Sequence, residues 1–157
     1  MSQFAQNTSV SVEASRGEIE RTLQRYGAES FMYGWDASAA IIQFVAEGRR
    51  IKFVLNLPDR EDPAFWHTPA RRAKRTPEAA YKEWEQACRQ RWRALALCIK
   101  AKLEAVESEI STFEDEFLAH TVLPDGSTAG EWMRPQIAEV YRTGAMPAML
   151  PALGAGS

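Results

Sequence analysis

Basic side chains are concentrated in one segment of this 157-residue chain. Ten Lys and Arg residues lie between Arg71 and Lys102 against three Glu, so the segment carries +7 although the whole chain carries −2. The next stretch, from Glu104 to Glu116, holds six acids and no base. Clustered Lys and Arg are the groups that bind a phosphate backbone, so this segment is the first candidate for function.

Part of this positive charge forms a stripe on a predicted long helix. Spacings of 7, 4 and 7 residues separate four cations: Lys82, Arg89, Arg93 and Lys100. On a helical wheel they fall within about 40° of one another, and about 110° from the apolar face of the same helix. The preceding loop adds four bases at the same end of the helix: Arg71, Arg72, Lys74 and Arg75.

Aromatic residues accompany these bases. Phe65 and Trp66 lie in the same loop. On the predicted sheet, the further candidate is Tyr33 or Trp35. Flat rings stack on unpaired bases while cations contact phosphates, which is how single-stranded nucleic acid is commonly held. Lys52, on the polar face of the third predicted strand, is added to the set. The predicted nucleic-acid-binding residues are therefore Lys52, Trp66 and the eight cations of the loop and the stripe.

The same residues also have a purely structural explanation. Cations on a long helix commonly form a solvated face, and Glu85 with Arg89 has the spacing of a helical ion pair. Trp84 and Trp92 fall on the apolar face of the helix and are expected in the core. The aromatic pair of the loop is of a kind that often fixes a loop to the body of a protein.

Catalytic residues are not evident in the sequence. The two histidines, His67 and His120, have no metal-ligand spacing, and there is no Gly-rich phosphate loop and no Gly-x-Ser-x-Gly motif. Asp59, Glu61 and Asp62 offer carboxylates for a cation, although three acids in a solvated turn are common. We therefore predict no catalytic residue, no metal and no cofactor, with an enzyme that uses these acids as a minor alternative.

The first elements that position these residues follow from periodicity. A capping-box pattern at Ser15–Glu18, followed by apolar residues at helical spacing, predicts a helix near residues 16–26. Alternating apolar residues between turn signals predict three strands, Ser30–Trp35, Ala39–Glu47 and Arg50–Leu57. Short turns between consecutive strands make an antiparallel meander with one face covered by helices.

A long loop and a long helix come next. A loop of the length of residues 59–76 is uncommon in a compact domain and is usually functional or disordered. Thr76 followed by Pro77 is a strong helix start, and the helix is predicted to reach about Glu109. Its apolar stripe repeats by threes and fours: Trp84, Cys88, Trp92, Leu95, Ile99, Leu103, Val106 and Ile110.

Shorter helices complete the chain. One begins at Phe113, and a second begins at the Thr128–Glu131 capping-box pattern and closes at Gly144. The fold class is α+β: an N-terminal helix, a three-stranded antiparallel meander, a long helix packed on the sheet and short C-terminal helices. The expected limits are a flexible arm at residues 1–14, a single domain at 15–144 and an irregular tail at 145–157.

The sequence shows no recognisable membrane-spanning segment or signal peptide. No apolar run approaches the roughly 20 residues that span a bilayer. Met1–Asn7 has neither the basic nor the apolar region of a signal peptide. We therefore expect a cytoplasmic protein with no membrane partner.

One stretch runs from Arg21-Thr-Leu-Gln-Arg-Tyr-Gly-Ala through Arg49-Arg-Ile-Lys-Phe-Val-Leu-Asn-Leu-Pro, and two shorter segments are Gln90-Arg-Trp-Arg-Ala-Leu-Ala-Leu and Leu123-Pro-Asp-Gly-Ser-Thr. On these residues the chain resembles an uncharacterised family of small phage and prophage proteins. The resemblance implies a phage or prophage source, and a place in phage DNA metabolism or host takeover. The host cytoplasm is then the expected location.

The order helix, three strands, long helix is also similar to the core of RAD52-like single-strand annealing proteins. Those proteins form rings and run DNA along a basic groove beside the long helix. The same order describes double-stranded RNA-binding domains, whose second helix is shorter than the one predicted here. This is a likeness of element order, and no residue is carried over from either family.

The sequence thus predicts a nucleic-acid-binding protein that binds or anneals single strands without catalysis, and that forms a homo-oligomer. The alternative is a phage structural protein, or a protein that captures a host protein, assembling through its charge-polarised long helix. In that alternative the basic half of one copy would meet the acidic half of another.

Overall fold

The computed structural model describes residues 8–146 of the chain. Three strands lie between the first helix and the others. The helices are α1 (Val12–Tyr26), α2 (Pro63–Trp66), α3 (Pro77–Glu107), α4 (Phe113–Glu116), a 3-10 helix (Leu118–His120) and α5 (Ala129–Thr143). The strands are β1 (Ser30–Trp35), β2 (Ala39–Ala46) and β3 (Arg49–Asn56). The predicted α+β class and element order are confirmed.

Helix α1 begins earlier than its sequence predicts. Ser11 has an extended backbone, and its hydroxyl accepts from the Ala14 amide at 3.1 Å, so Ser11 is the N-cap. The capping box at Ser15 is wrong, because Ser15 lies inside the helix and is fully buried. Residues 12–14, expected in the flexible arm, are therefore the first turn of α1. Residues 1–7 of that arm lie outside the described residues.

The sheet is the predicted antiparallel meander, in the order β1-β2-β3. The turn between β2 and β3 consists of Glu47 and Gly48, both with positive φ, and this geometry matches the twist of a tight hairpin. Alternation along β2 buries Ala40, Ile42 and Phe44 on one face. That inner face is covered by helices, and the outer face is open.

The core lies between the inner face of the sheet, α1 and α3. Ile19 and Leu23 of α1 and Trp92, Ile99 and Leu103 of α3 are almost completely buried in it, as the apolar stripe predicts. Thr76 caps α3 through the Ala79 amide at 3.2 Å. The stripe ends before its last predicted member, Ile110, because α3 stops at Glu107; Ile110 is 81% exposed.

The C-terminal helices pack near the C-terminal end of α3, where Lys102 forms an ion pair with Glu116. Phe117, fully buried, forms an edge-to-face pair with Phe44, with a centroid separation of 5.7 Å. The predicted capping box of α5 is confirmed, since the Thr128 and Glu131 side chains each accept from the other's backbone amide. Gly144 closes α5 in the left-handed conformation, as predicted. The predicted tail lies outside the described residues from position 147 onwards.

Among residues 8–146, no helix combines the length and the apolar character needed to cross a bilayer.

Candidate nucleic-acid interface

The predicted loop at residues 59–76 is largely ordered by its own hydrogen bonds. It contains helix α2, which Asp62 caps by accepting from the Ala64 amide at 2.9 Å. Residues 67–75, named here the basic turn, then fold back on themselves. The Thr68 amide donates to the Ala73 carbonyl at 2.9 Å, and the Arg75 amide donates to the Trp66 carbonyl at 2.7 Å.

Arg75 holds the base of the basic turn. Its guanidinium donates to the carbonyl oxygens of Ala64, Phe65 and His67, each at 3.2 Å. It also lies 4.0 Å from the Glu83 carboxylate on the first turns of α3. Arg75 was predicted to bind phosphate, but its donors are already engaged inside the chain. Its structural part is to fix the basic turn against α2 and α3.

The other three cations of the basic turn are free. Arg71, Arg72 and Lys74 are exposed, and their side chains have no hydrogen-bond or ion-pair partner within residues 8–146. Arg72 has a φ of 50°, in the left-handed region, which gives the turn its tight reversal. Three unpaired positive charges therefore project from one short, internally bonded turn.

Trp66 connects the basic turn to the segment before it. Its indole N–H donates to the Arg60 carbonyl at 3.0 Å, which fixes the half-buried ring. The ring lines a shallow cleft of about 360 Å³ together with Lys74, His67 and Glu61. Trp66 and the unpaired cation Lys74 thus line the same small cleft.

Arg60 continues this surface towards α3. Its guanidinium lies 5.0 Å from the centroid of the Tyr81 ring and 5.1 Å from that of Trp84, in cation–π range. The Trp84 indole N–H in turn donates to the Pro58 carbonyl at 2.8 Å. Trp84, predicted to be core, is half-buried here, and Tyr81 is 43% exposed.

A larger cleft of about 520 Å³ is also lined by Tyr81 and Trp84. The start of α1, the ends of the strands and the first half of α3 enclose it. We call it the aromatic cleft. Four aromatic residues line it: Trp35, Tyr81, Trp84 and Trp92. The lining also contains two cations, Arg16 and Arg89, and two acids, Glu13 and Glu85.

Trp35 is the most accessible ring of the aromatic cleft. It belongs to β1, at the edge of the sheet, and it is 72% exposed although it lies on the inner face, opposite the buried Ala40. Nearby, the Arg16 guanidinium lies 4.2 Å from the centroid of the Tyr33 ring. The cleft therefore offers an accessible indole beside a cation whose position is fixed by another ring.

The predicted cation stripe of α3 is not a free surface. Arg89 forms the expected ion pair with Glu85 at 3.6 Å and also donates to the Gln86 amide oxygen at 2.6 Å. Arg93 forms an ion pair with Glu18 of α1. Lys82 and Lys100 are exposed and have no partner in the described part of the chain. They are separated by 18 residues, or about 27 Å along the helix.

Lys52 lies apart from the other predicted residues. It pairs in register with Gln43 on the outer face of the sheet, whereas α3 lies on the inner face. Of the ten predicted residues, the structure places Arg71, Arg72 and Lys74 on the basic turn that Arg75 holds to α2, with Trp66 and Lys74 lining one cleft. It engages Arg89 and Arg93 internally, and it leaves Lys52, Lys82 and Lys100 at separate places.

Two of the three acids considered for a cation have structural explanations. The Asp59 and Asp62 carboxylates each accept from a backbone amide, of Glu61 and Ala64 respectively, at 2.9 Å. Within residues 8–146 no group of three His, Cys, Asp or Glu is arranged to hold a metal ion. Burial raises the pKa of the Cys88 thiol beside the aromatic cleft, so it stays protonated and is a poor nucleophile.

Comparisons of the chain with protein-family models, with curated proteins and with solved structures found no match.

Sequence reasoning missed three residues of this surface: Arg16, Arg60 and Tyr81. Each is a single residue in an unremarkable local pattern, and they meet only because α1, the segment after β3 and α3 converge. One signal was available for Tyr81. It lies three residues before Trp84, so its ring had to sit near the edge of the apolar stripe.

Proposed function

We propose that this protein binds single-stranded nucleic acid without catalysis, as a phage or prophage protein acting in the host cytoplasm. In this proposal the basic turn holds phosphates, and Trp35 of the aromatic cleft stacks on an unpaired base. The observation that carries the proposal is the set of three exposed, unpartnered cations, Arg71, Arg72 and Lys74, on one internally bonded turn.

A chain of contacts joins the two parts of this surface. Lys74 and Trp66 line one cleft, Trp66 donates to the Arg60 carbonyl, and the Arg60 guanidinium lies over Tyr81, which is a wall of the aromatic cleft. Rings and cations therefore alternate from the basic turn to Trp35. This alternation suits a single strand, whose phosphates and splayed bases contact cations and rings in turn.

The local charges set the expected strength of binding. Arg89 of the aromatic cleft forms an ion pair with Glu85, and the charge of Glu13 offsets that of Arg16, so the phosphate contacts of this proposal fall on the basic turn. Three phosphate contacts to a single strand release about two counterions, so the slope of log K against log salt is expected near −2. Much of the remaining affinity must come from stacking.

Fluorescence anisotropy with a short labelled oligothymidine, measured over a salt series, tests the basic turn. The triple variant Arg71→Ala/Arg72→Ala/Lys74→Ala is expected to weaken binding at low salt by more than tenfold and to flatten the salt slope. Folding is expected to be unaffected, because the three side chains are exposed and form no hydrogen bond or ion pair within residues 8–146. The control Lys100→Ala removes an equally free cation from α3 and is expected to bind as the wild type does.

Three outcomes contradict this proposal. Wild-type protein that does not bind at low salt removes the function altogether. A loss with Lys100→Ala as large as with the triple variant moves the site from the basic turn to α3. A triple variant that binds as the wild type does, with the same salt slope, leaves the phosphates without a binding site.

The stacking contact has its own matched pair of variants. Trp35→Ala is expected to reduce affinity about tenfold, since base–aromatic stacking contributes about 1–3 kcal/mol per base. Trp35→Phe keeps a ring at the same exposed position and is expected to recover most of the binding. If both variants bind as tightly as the wild type does, no base stacks on this side chain.

The alternative, assembly through the charge-polarised α3, has fewer free charges than its sequence suggests. Arg89, Arg93 and Lys102 of its basic half form ion pairs with carboxylates of the same chain. A different observation favours an interaction protein as the second candidate. Helix α5 presents an apolar face that no other residue of the described range 8–146 covers.

A further inference from the structure

Helix α5 has an apolar face that nothing in the described chain covers. Five of its residues fall within about 180° of the helical wheel: Trp132, Met133, Ile137, Val140 and Tyr141. None is buried, and Tyr141 is 85% exposed, Trp132 55% and Ile137 48%. Large exposed apolar patches of this kind mark interaction sites on a protein surface.

Helix α5 is attached to the rest of the protein at its first turn. The Ala129 amide donates to the Thr121 carbonyl at 2.8 Å. Gly130 approaches the 3-10 helix so closely that a Cβ there would lie 2.9 Å from the Ala119 carbonyl oxygen. Leu118 of the same 3-10 helix is 59% exposed and adds to the apolar surface at this end.

The rest of α5 lacks the support that a helix of its length needs. An isolated helix of about 15 residues is marginal in water, and most helices in proteins are stabilised by packing of their apolar face. The capping box and the Gly144 cap favour α5 locally, but they leave the rings and the aliphatic side chains in solvent. A partner that covers this face would supply the missing stabilisation.

We propose that the partner is a second copy of this chain, with α5 packed against α5 around a two-fold axis. Because the same patch then serves both copies, the interface closes as a dimer. The exposed apolar surface of α5, Leu118 and Met146 is of the order of 700 Å² per copy, close to the roughly 800 Å² that each partner contributes to a stable interface.

The composition of the face fits an interface core. Trp, Tyr and Met are enriched at the centres of interfaces, from which charged residues are depleted. The charged residues of α5 lie outside the apolar half of the wheel: Glu131, Arg134, Glu139 and Arg142. Glu139 and Arg142 are already paired with each other, so the dimer needs no charged contact across its centre.

Sedimentation velocity over a concentration series, from nanomolar to high micromolar, tests the dimer. The full chain is expected to shift from a 17.7 kDa species to one of twice that mass as its concentration rises. Ile137→Glu puts a charge in the middle of the face and is expected to weaken dimerisation at least a hundredfold. Ala138→Glu adds the same charge one residue along, on the polar side, and is expected to leave the dimer intact.

A truncated chain that ends at Met146 distinguishes the two other occupants. If the C-terminal residues of the same chain cover the face, the full chain is a monomer and the truncated chain dimerises, which overturns the proposal. If the face awaits a different protein, both forms are monomers at every concentration, which also overturns it. A dimer in both forms, lost with Ile137→Glu alone, supports the proposal.

Folding of the variant is checked separately. Ile137 is 48% exposed and lies outside the core cluster, so Ile137→Glu is expected to keep the urea midpoint that the wild type shows at dilutions where it is monomeric. A variant that unfolds at those dilutions shows that the side chain packs within its own chain, which contradicts a free face.

Discussion

Helices α3 and α5 carry similar sequence patterns and have opposite surroundings. Both begin at a capping Thr, and both repeat large apolar residues by threes and fours. In α3 seven residues are buried, and the stripe forms one wall of the core. In α5 no residue is buried. Periodicity therefore identifies the apolar face of a helix, but it does not tell what covers that face.

The largest expected difference between the two helices is in the cost of losing one isoleucine. Ile99→Ala in α3 removes a fully buried side chain and is expected to lower the free energy of unfolding by about 2–5 kcal/mol. Ile137→Ala in α5 is expected to change it by less than about 0.5 kcal/mol at monomeric dilution. Urea unfolding, followed by tryptophan fluorescence, measures both.

The comparison of the two isoleucines fails in one clear way. If Ile137→Ala costs as much as Ile99→Ala while the protein is monomeric, α5 is packed on its own chain and the contrast between the helices is lost. If Ile137→Ala lowers stability only at concentrations where the wild type dimerises, the Ile137 side chain is covered by a second copy and not by its own chain.

A smaller difference is expected between the ion pairs of the two helices. Arg93 of α3 pairs with Glu18 of α1, and their side chains are only 22% and 30% exposed. A double-mutant cycle on this pair is expected to give a coupling energy of about 1 kcal/mol, since the pair joins two elements and is partly shielded from water.

Arg142 and Glu139 of α5 provide the matched pair for that cycle. Their side chains are 70% and 58% exposed, and both belong to one helix. Water and salt screen such a pair, so its cycle is expected to give no coupling beyond the error of measurement. A coupling as large as that of Arg93 with Glu18 would mean that α5 is shielded by a partner even at high dilution.

The smallest expected effect is on the pH dependence of stability, through the 3-10 helix that lies between the sheet and α5. His120, in the 3-10 helix, stacks on Phe53 with a centroid separation of 3.9 Å. Burial, and then the charge of Lys102, hold the pKa of His120 below its usual value of 6.5. The folded state therefore prefers the neutral ring more than the unfolded state does.

The sign of the pH effect follows from this lowered pKa. Stability from neutral His120 is fully present above about pH 6.5 and falls as the pH drops below that value, because the unfolded chain takes up the proton first. His120→Phe keeps a ring on Phe53 and is expected to remove this part of the pH dependence. Urea midpoints of both proteins between pH 7.5 and 5 measure it, and parallel curves would contradict the assignment.

Much of the fold followed from the sequence, for reasons that are local. The alternation in β2 and β3, the Thr76-Pro77 start of α3 and the Thr128 capping box each depend on residues within a few positions of one another. The start of α1 did not follow, because Ser11 and Ser15 both suit an N-cap. Packing decided between them by burying Ser15.

The candidate site was predicted only in part, because charge in a sequence does not show pairing in space. Arg93 and Arg71 look alike along the chain, but Arg93 pairs with Glu18, which lies 75 residues away, and the Arg71 side chain has no hydrogen-bond or ion-pair partner among residues 8–146. Arg75 looks like its neighbours Arg71 and Arg72, yet its guanidinium donates hydrogen bonds to three carbonyl oxygens.

The sequence by itself determined the three strands, the longer helices and which side of each is apolar, because these depend on backbone propensity and short-range periodicity. It did not determine the short helices Pro63–Trp66 and Leu118–His120. Only the tertiary structure decided which cations stay free and which rings share a cleft, because those depend on elements far apart in the chain. It also decided that the apolar face of α3 meets the sheet and that of α5 meets water. A helix can bury its face only against an element that the fold brings to it.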